Sequence, residues 1–152
     1  MKKIIGCSFE LECGYTNHYA IIFKNIDIKK FSWYVRESEI YKEGNLDCLF
    51  ESNFYKGQEF EKKINEGNYH LIHSSVFAAL PNKEIYPNMI LTYEDYCNSN
   101  CNIAFLCADC YVDFYSKDEH IVKAVANTYK DKISRRITLF TEDSNPRTSF
   151  LI

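Results

Sequence analysis

The stretch Asn102–Tyr115, "NIAFLCADCYVDFY", is the most regular in the chain, and its reading decides the fold. Its even positions, Ala104, Leu106, Ala108, Cys110, Val112 and Phe114, form an unbroken apolar series. Its odd positions pass from Ile103, Phe105 and Cys107 to Asp109, Tyr111, Asp113 and Tyr115. Alternation of period two is a strand signature, because successive side chains point to opposite faces of a sheet. The pattern predicts one long strand with a buried face and a half-open, acidic and aromatic one.

The regions on either side extend this into a sheet covered by helices. Ser116-x-x-Glu119 reads as a capping box opening a helix from 117 to about 131, with Ile121, Ala124, Val125, Thr128 and Tyr129 inward. "KISRRITLFTE", 132–142, alternates again as a strand, and a right-handed crossover over the helix makes it parallel to the 102–115 strand. "TSFLI" can add a last short strand. Upstream, alternation predicts strands over 2–11, 31–41 and 69–81, and helical spacing predicts a helix over Tyr19–Ile26 and a shorter one over Gln58–Glu66. Thr92-x-x-Asp95 caps a minor helix. The expectation is an α+β fold, one domain over 1–152, with a mixed sheet of five to six strands and three main helices.

Bulk composition narrows the partners. The 152 residues carry 18 basic and 21 acidic side chains, a net charge of −3, so no positive field attracts a phosphate backbone. Nucleic acid is not the expected partner. No apolar run approaches the roughly 18 residues of a membrane span, and only Ile4 and Ile5 separate the basic start from Gly6-Cys7, too few for a secretory segment. An odd count of seven cysteines without an export signal points to reduced thiols and a cytoplasmic protein. The 12 Tyr and 11 Phe would suit a recognition surface, but the A/T-rich codons of a low-GC bacterium are the simpler explanation.

Four of the cysteines, at 97, 101, 107 and 110, crowd one segment that ends in C-x-x-C. Within a single strand Cys107 and Cys110 point to opposite faces, about 10 Å apart, whereas zinc ligation needs sulfurs within about 4 Å. A thioredoxin-like pair belongs at a helix start, not inside a strand. No metal and no cofactor are therefore expected. His70 and His73, three apart on a strand, likewise face opposite ways and cannot readily share an ion. A small cysteine-dependent enzyme, using Cys107 or Cys110 with His70 or His73, stays the alternative if the two strands are neighbours. The five glycines form no G-x-G-x-x-G or P-loop, and neither H-E-x-x-H nor G-x-S-x-G occurs.

The succession "GCSFEL", "IDIKKFSWYV", "ADCYVDFYSKD" and "ITLFTEDSNPRTSF" resembles a family of small uncharacterised proteins from bacilli and clostridia, over nearly the whole chain. That resemblance implies a cytoplasmic α+β protein and supplies no activity, cofactor or catalytic residue. The leading expectation is a non-enzymatic binding or interaction protein with a protein or small-molecule partner. Its candidate contact residues are Asp109, Tyr111 and Asp113 on the strand face, with Arg147 in the Asp143–Arg147 turn.

Overall fold

The computed structural model describes residues 2–12, 14–132 and 136–152, with the backbone alone for 129–132. The start of the strand expected over 132–142 and the side chain of Tyr129 lie outside the described residues. In chain order the elements are β1 (Gly6–Glu10), β2 (Tyr15–Thr16), α1 (His18–Ile22), β3 (Ser32–Lys42), β4 (Phe54–Tyr55), α2 (Gly57–Ile64), β5 (Tyr69–Ala79), α3 (Tyr93–Asn98), β6 (Ile103–Ala108), β7 (Tyr111–Ser116), α4 (Glu119–Lys132) and β8 (Thr138–Phe140).

One sheet runs in the order β4-β3-β5-β6-β7-β1-β8, with β2 pairing with β5. Every strand pair is antiparallel. The α+β class holds, but the sheet is antiparallel rather than mixed. Among the described residues it has eight strands rather than five to six, with four α-helices rather than three. The extra strands β2 and β4 span two residues each, too short for any periodicity to register. β7 and β8 do run parallel, but each pairs antiparallel with β1, which lies between them. "TSFLI" makes only an isolated bridge, Thr92 to Ser149.

The long strand expected over 102–115 is a hairpin. Asp109 and Cys110 have φ of 50° and 67°, and Ala108 pairs directly with Tyr111. Two positive φ values in a two-residue loop make the turn whose twist matches the flanking strands. The reversal changes the parity. Cys107 faces Val112 and Phe105 faces Phe114 on one side of the sheet, while Leu106 faces Asp113 and Ala104 faces Tyr115 on the other. The apolar even series is thus divided between the two faces.

The first face packs under α1, α2 and α4. Its core joins Cys7, Phe9, Tyr19, Phe23, Trp33, Phe60, Phe105, Phe114, Val122 and Val125, each at most 1% exposed. Trp33 stacks on Phe60 with centroids 4.4 Å apart and donates its indole N–H to the Ile28 carbonyl at 2.9 Å. Burying one such aromatic ring contributes about 3 kcal/mol, so this face carries most of the packing. The second face is covered only at one end, by the 80–92 loop, α3 and the C-terminal tail, through Ile85, Ile90, Tyr96 and Phe150.

Arg36 fixes that partial cover. It is the extra residue of a bulge where β3 slips against β5 between Val35 and Glu37. Its guanidinium lies 4.8 Å from the Phe77 ring centroid and donates to the carbonyls of Pro87 (3.0 Å), Ile90 (2.7 Å) and Phe150 (2.5 Å). One side chain therefore ties both the loop and the tail to the sheet.

Candidate functional site

Residues directly opposite one another on neighbouring strands share a face, so the registers lay out the second face as successive rows. The first row is Tyr34, Phe77, Ala104, Tyr115, Gly6 and Phe140. The tail and loop cover it, and any side chain on Gly6 would collide with the Phe140 ring. The second row is Glu37, Ser75, Leu106, Asp113 and Ser8. The third is Glu39, His73, Ala108, Tyr111 and Glu10.

The second row is the boundary. Asp113 is only 6% exposed; its carboxylate accepts from Ser8 Oγ at 2.6 Å and from Arg147 Nε at 2.5 Å. Arg147 also donates to the carbonyls of Ser149 (3.4 Å) and Leu151 (3.2 Å), and Tyr115 donates its hydroxyl to Asn145 at 2.6 Å. Asp113 and Arg147 are brought together, as a clasp that holds the tail down. Among the described residues the buried Ser75 Oγ and Arg36 Nε find no hydrogen-bond partner, although Arg36 Nε lies 3.8 Å from the Glu37 carboxylate.

The third row opens to solvent. Tyr111 is 54% exposed, and Glu10, Glu39, His73 and Ala108 are exposed or half-exposed. Asp109 stands at the hairpin tip, its backbone N–H donating to His73 Nδ1 at 3.3 Å and its carboxylate 3.5 Å from His73 Nε2. Glu39 approaches the same imidazole at 3.8 Å. Beyond it, a bulge at Ile72 shifts the β5 register, so that His73 opposes Glu39 while His70 opposes Tyr41 and, on its other side, Tyr15. The bulge turns His70 and His73 to the same face, against the strand-parity expectation. Tyr15 and His70 touch with ring centroids 5.6 Å apart. The open surface therefore mixes carboxylates (Glu10, Glu39, Asp109) with tyrosines (Tyr15, Tyr41, Tyr111) and two imidazoles.

Among the described residues the alternative pairing of Cys107 with His70 or His73 is not formed. Cys107 lies on the helix-covered face, opposite Ser74 and Val112, away from the histidines. Its thiol points to the Ile72 carbonyl (3.8 Å) and that of Cys110 to the Leu71 carbonyl (3.7 Å). Burial pushes the Cys107 thiol well above its ordinary range, and pushes Cys7 and Cys101 up to about 12. Among the described residues no three His, Cys, Asp or Glu side chains group to hold a metal ion.

Sequence reasoning reached Asp109, Tyr111, Asp113 and Arg147 but not Glu10, Glu39, Tyr15 or Tyr41. The available signal was length, since 14 residues is far beyond the usual strand of about 5–6, and Asp tolerates positive φ. A turn at Asp109 aligns Tyr111 with Ala108 at once.

The model of a family described as a protein of unknown function, DUF2691, matches residues 4–151. The chain belongs to this family. The DUF2691 chain is also similar to an uncharacterized protein, YncE, of Bacillus subtilis strain 168, at 26% identity over 152 residues, covering 97% of this chain and 98% of the relative. No solved structure gives a significant match. Among the described residues no helix is long and apolar enough to cross a membrane.

Proposed function

We propose that this DUF2691 chain is a single-domain, non-enzymatic binding module that docks a basic segment of a partner protein on the open end of its sheet. The observation that carries the reading is the third row. Five strands align Glu39, His73, Ala108, Tyr111 and Glu10 side by side, and the tail that covers the first row is clasped at the second, by Arg147 to Asp113. Exposed tyrosines supply contact area at low entropic cost, and the surrounding carboxylates favour Lys and Arg over acidic or phosphate-bearing partners. Arg36 is engaged with backbone carbonyls and Arg147 with Asp113. Asp113 and Arg147 serve the site by stopping the tail, and Asp109 and Tyr111 meet the partner. Thiols turned inward toward carbonyls favour this reading over a cysteine enzyme, and buried reduced thiols suit a cytoplasmic protein.

Fluorescence anisotropy with a labelled hexa-arginine peptide tests the proposal. Binding is expected to weaken with salt and to fall by about tenfold or more in a Glu10→Lys/Glu39→Lys variant. Glu61→Lys, on the helix-covered side, is expected to change it less than about twofold. Absence of binding, or an equal loss in both variants, overturns the reading.

A further inference from the structure

A hollow of about 660 Å³ lies at the other end of β3 from the open row, between the start of that strand, the 28–30 turn and the first turn of α2. The helix has an unusual cap. Lys56 holds the N-cap position in extended backbone (φ −63°, ψ 156°), where Ser, Thr, Asp or Asn would accept from the first amides. Its side chain makes no capping bond, because an ammonium has no acceptor. The first helical bond runs from Phe60 N to the Lys56 carbonyl, so the N–H groups of Gly57, Gln58 and Glu59 find no acceptor among the described residues. The Glu59 carboxylate, the acid of the hollow, is turned back on Lys56 N at 2.9 Å. A cation at the cap also opposes the positive end of the helix dipole, an arrangement that an anion would relieve.

A second cation stands close by. Gly57 lets the 28–30 turn close on the helix, since a β-carbon there would lie 2.6 Å from Lys29 Cα and from its carbonyl oxygen. Lys29 thereby lines the hollow with Lys56, and its exposed pairing with Glu61, at 3.5 Å, is too weak to hold it away. An independent sign comes from the sheet. Ser32, opposite Ala79 in the register, is 7% exposed and lines the same hollow. Its hydroxyl has no hydrogen-bond partner among the described residues, and a buried hydroxyl left unbonded loses its hydration without compensation. Phe31, Phe54 and Pro81 complete the lining with an apolar wall.

We infer that this hollow binds a small phosphomonoester with an apolar, ring-sized body. The open amides of α2 and the Ser32 hydroxyl donate to the phosphate oxygens, Lys29 and Lys56 neutralise their charge, and the apolar wall covers the body. The site is separate from the open row, whose carboxylates favour a basic partner.

Titration of phenyl phosphate into the isotope-labelled full chain, with the backbone amides followed by NMR, tests the inference. Saturable shifts are expected at Gly57, Gln58 and Glu59, weakening in high salt. Inorganic phosphate, which lacks the apolar body, and phenylacetate, which lacks the phosphate, should each bind about tenfold more weakly. Ser32→Ala should weaken phenyl phosphate by about threefold. Lys56→Asp supplies the missing cap acceptor and removes a cation, so it should weaken binding by about tenfold or more while raising the melting temperature, opposite signs that a folding defect does not produce. No saturable shift at these amides, equal affinity for phenyl phosphate and either simpler anion, or binding that survives Lys56→Asp unchanged overturns the inference.

Discussion

Asp113 and Arg147 place opposite charges at the boundary between the covered and open parts of one sheet face, with side chains 8% and 22% exposed. A carboxylate this buried depends on its partners, because an unpaired buried charge is costly while the pair itself is worth less than its geometry suggests. Arg147→Met should therefore cost about 3 kcal/mol, read from urea unfolding, since Asp113 keeps only Ser8. Adding Asp113→Leu should restore most of that loss. If the double variant is as unstable as the single, the tail is held mainly by Arg36 and Phe150 instead. Asp113 was legible in the sequence as an acid on a strand face with tyrosines, and Arg147 as the end of a polar turn. Their pairing was not, because 34 residues separate them and no periodicity links a strand to a tail.

Among the elements, the β6–β7 hairpin changes the reading most. Its strands alternate strictly, and a two-residue turn interrupts neither the alternation nor the apolar run, so the stretch looks continuous while its faces exchange. The usual Asn-Gly signal is absent, and Asp-Cys takes the positive φ angles instead. Asp109→Val should lower stability by about 1–2 kcal/mol relative to Asp109→Asn, because a β-branched side chain is strained at φ of 50° and the exposed carboxylate itself contributes little. Equal stability of the two variants would mean that the turn lies elsewhere. Caps were read more securely, with a difference in detail. Thr92 and Asp95 bond each other's backbone N–H as their spacing implies. At α4, however, Asp118 accepts from His120 N, and Glu119 reaches across to Ile4 N at 3.0 Å. The cap residue is displaced because the carboxylate is recruited to hold the start of the chain.

Over the whole molecule, the two faces of the sheet are treated differently. Helices cover one face along its length, and aromatic density there made the α+β class readable from apolar periodicity alone. The other face is covered by irregular segments, the 80–92 loop and the 142–152 tail, whose path depends on single polar contacts such as Arg36 to Phe150. No pattern in the sequence announces where such a cover ends, so the open row of Glu39, His73, Tyr111 and Glu10 emerges only from the register. That exposed row is the central claim, and solvent paramagnetic relaxation tests it directly. With a neutral gadolinium chelate in solution, the ring protons of Tyr111 and His73 should broaden strongly, while those of Phe77 and Tyr115, two rows away under the tail, should stay sharp. Tyr111 and His73 protected to the same degree as Tyr115 would contradict the account.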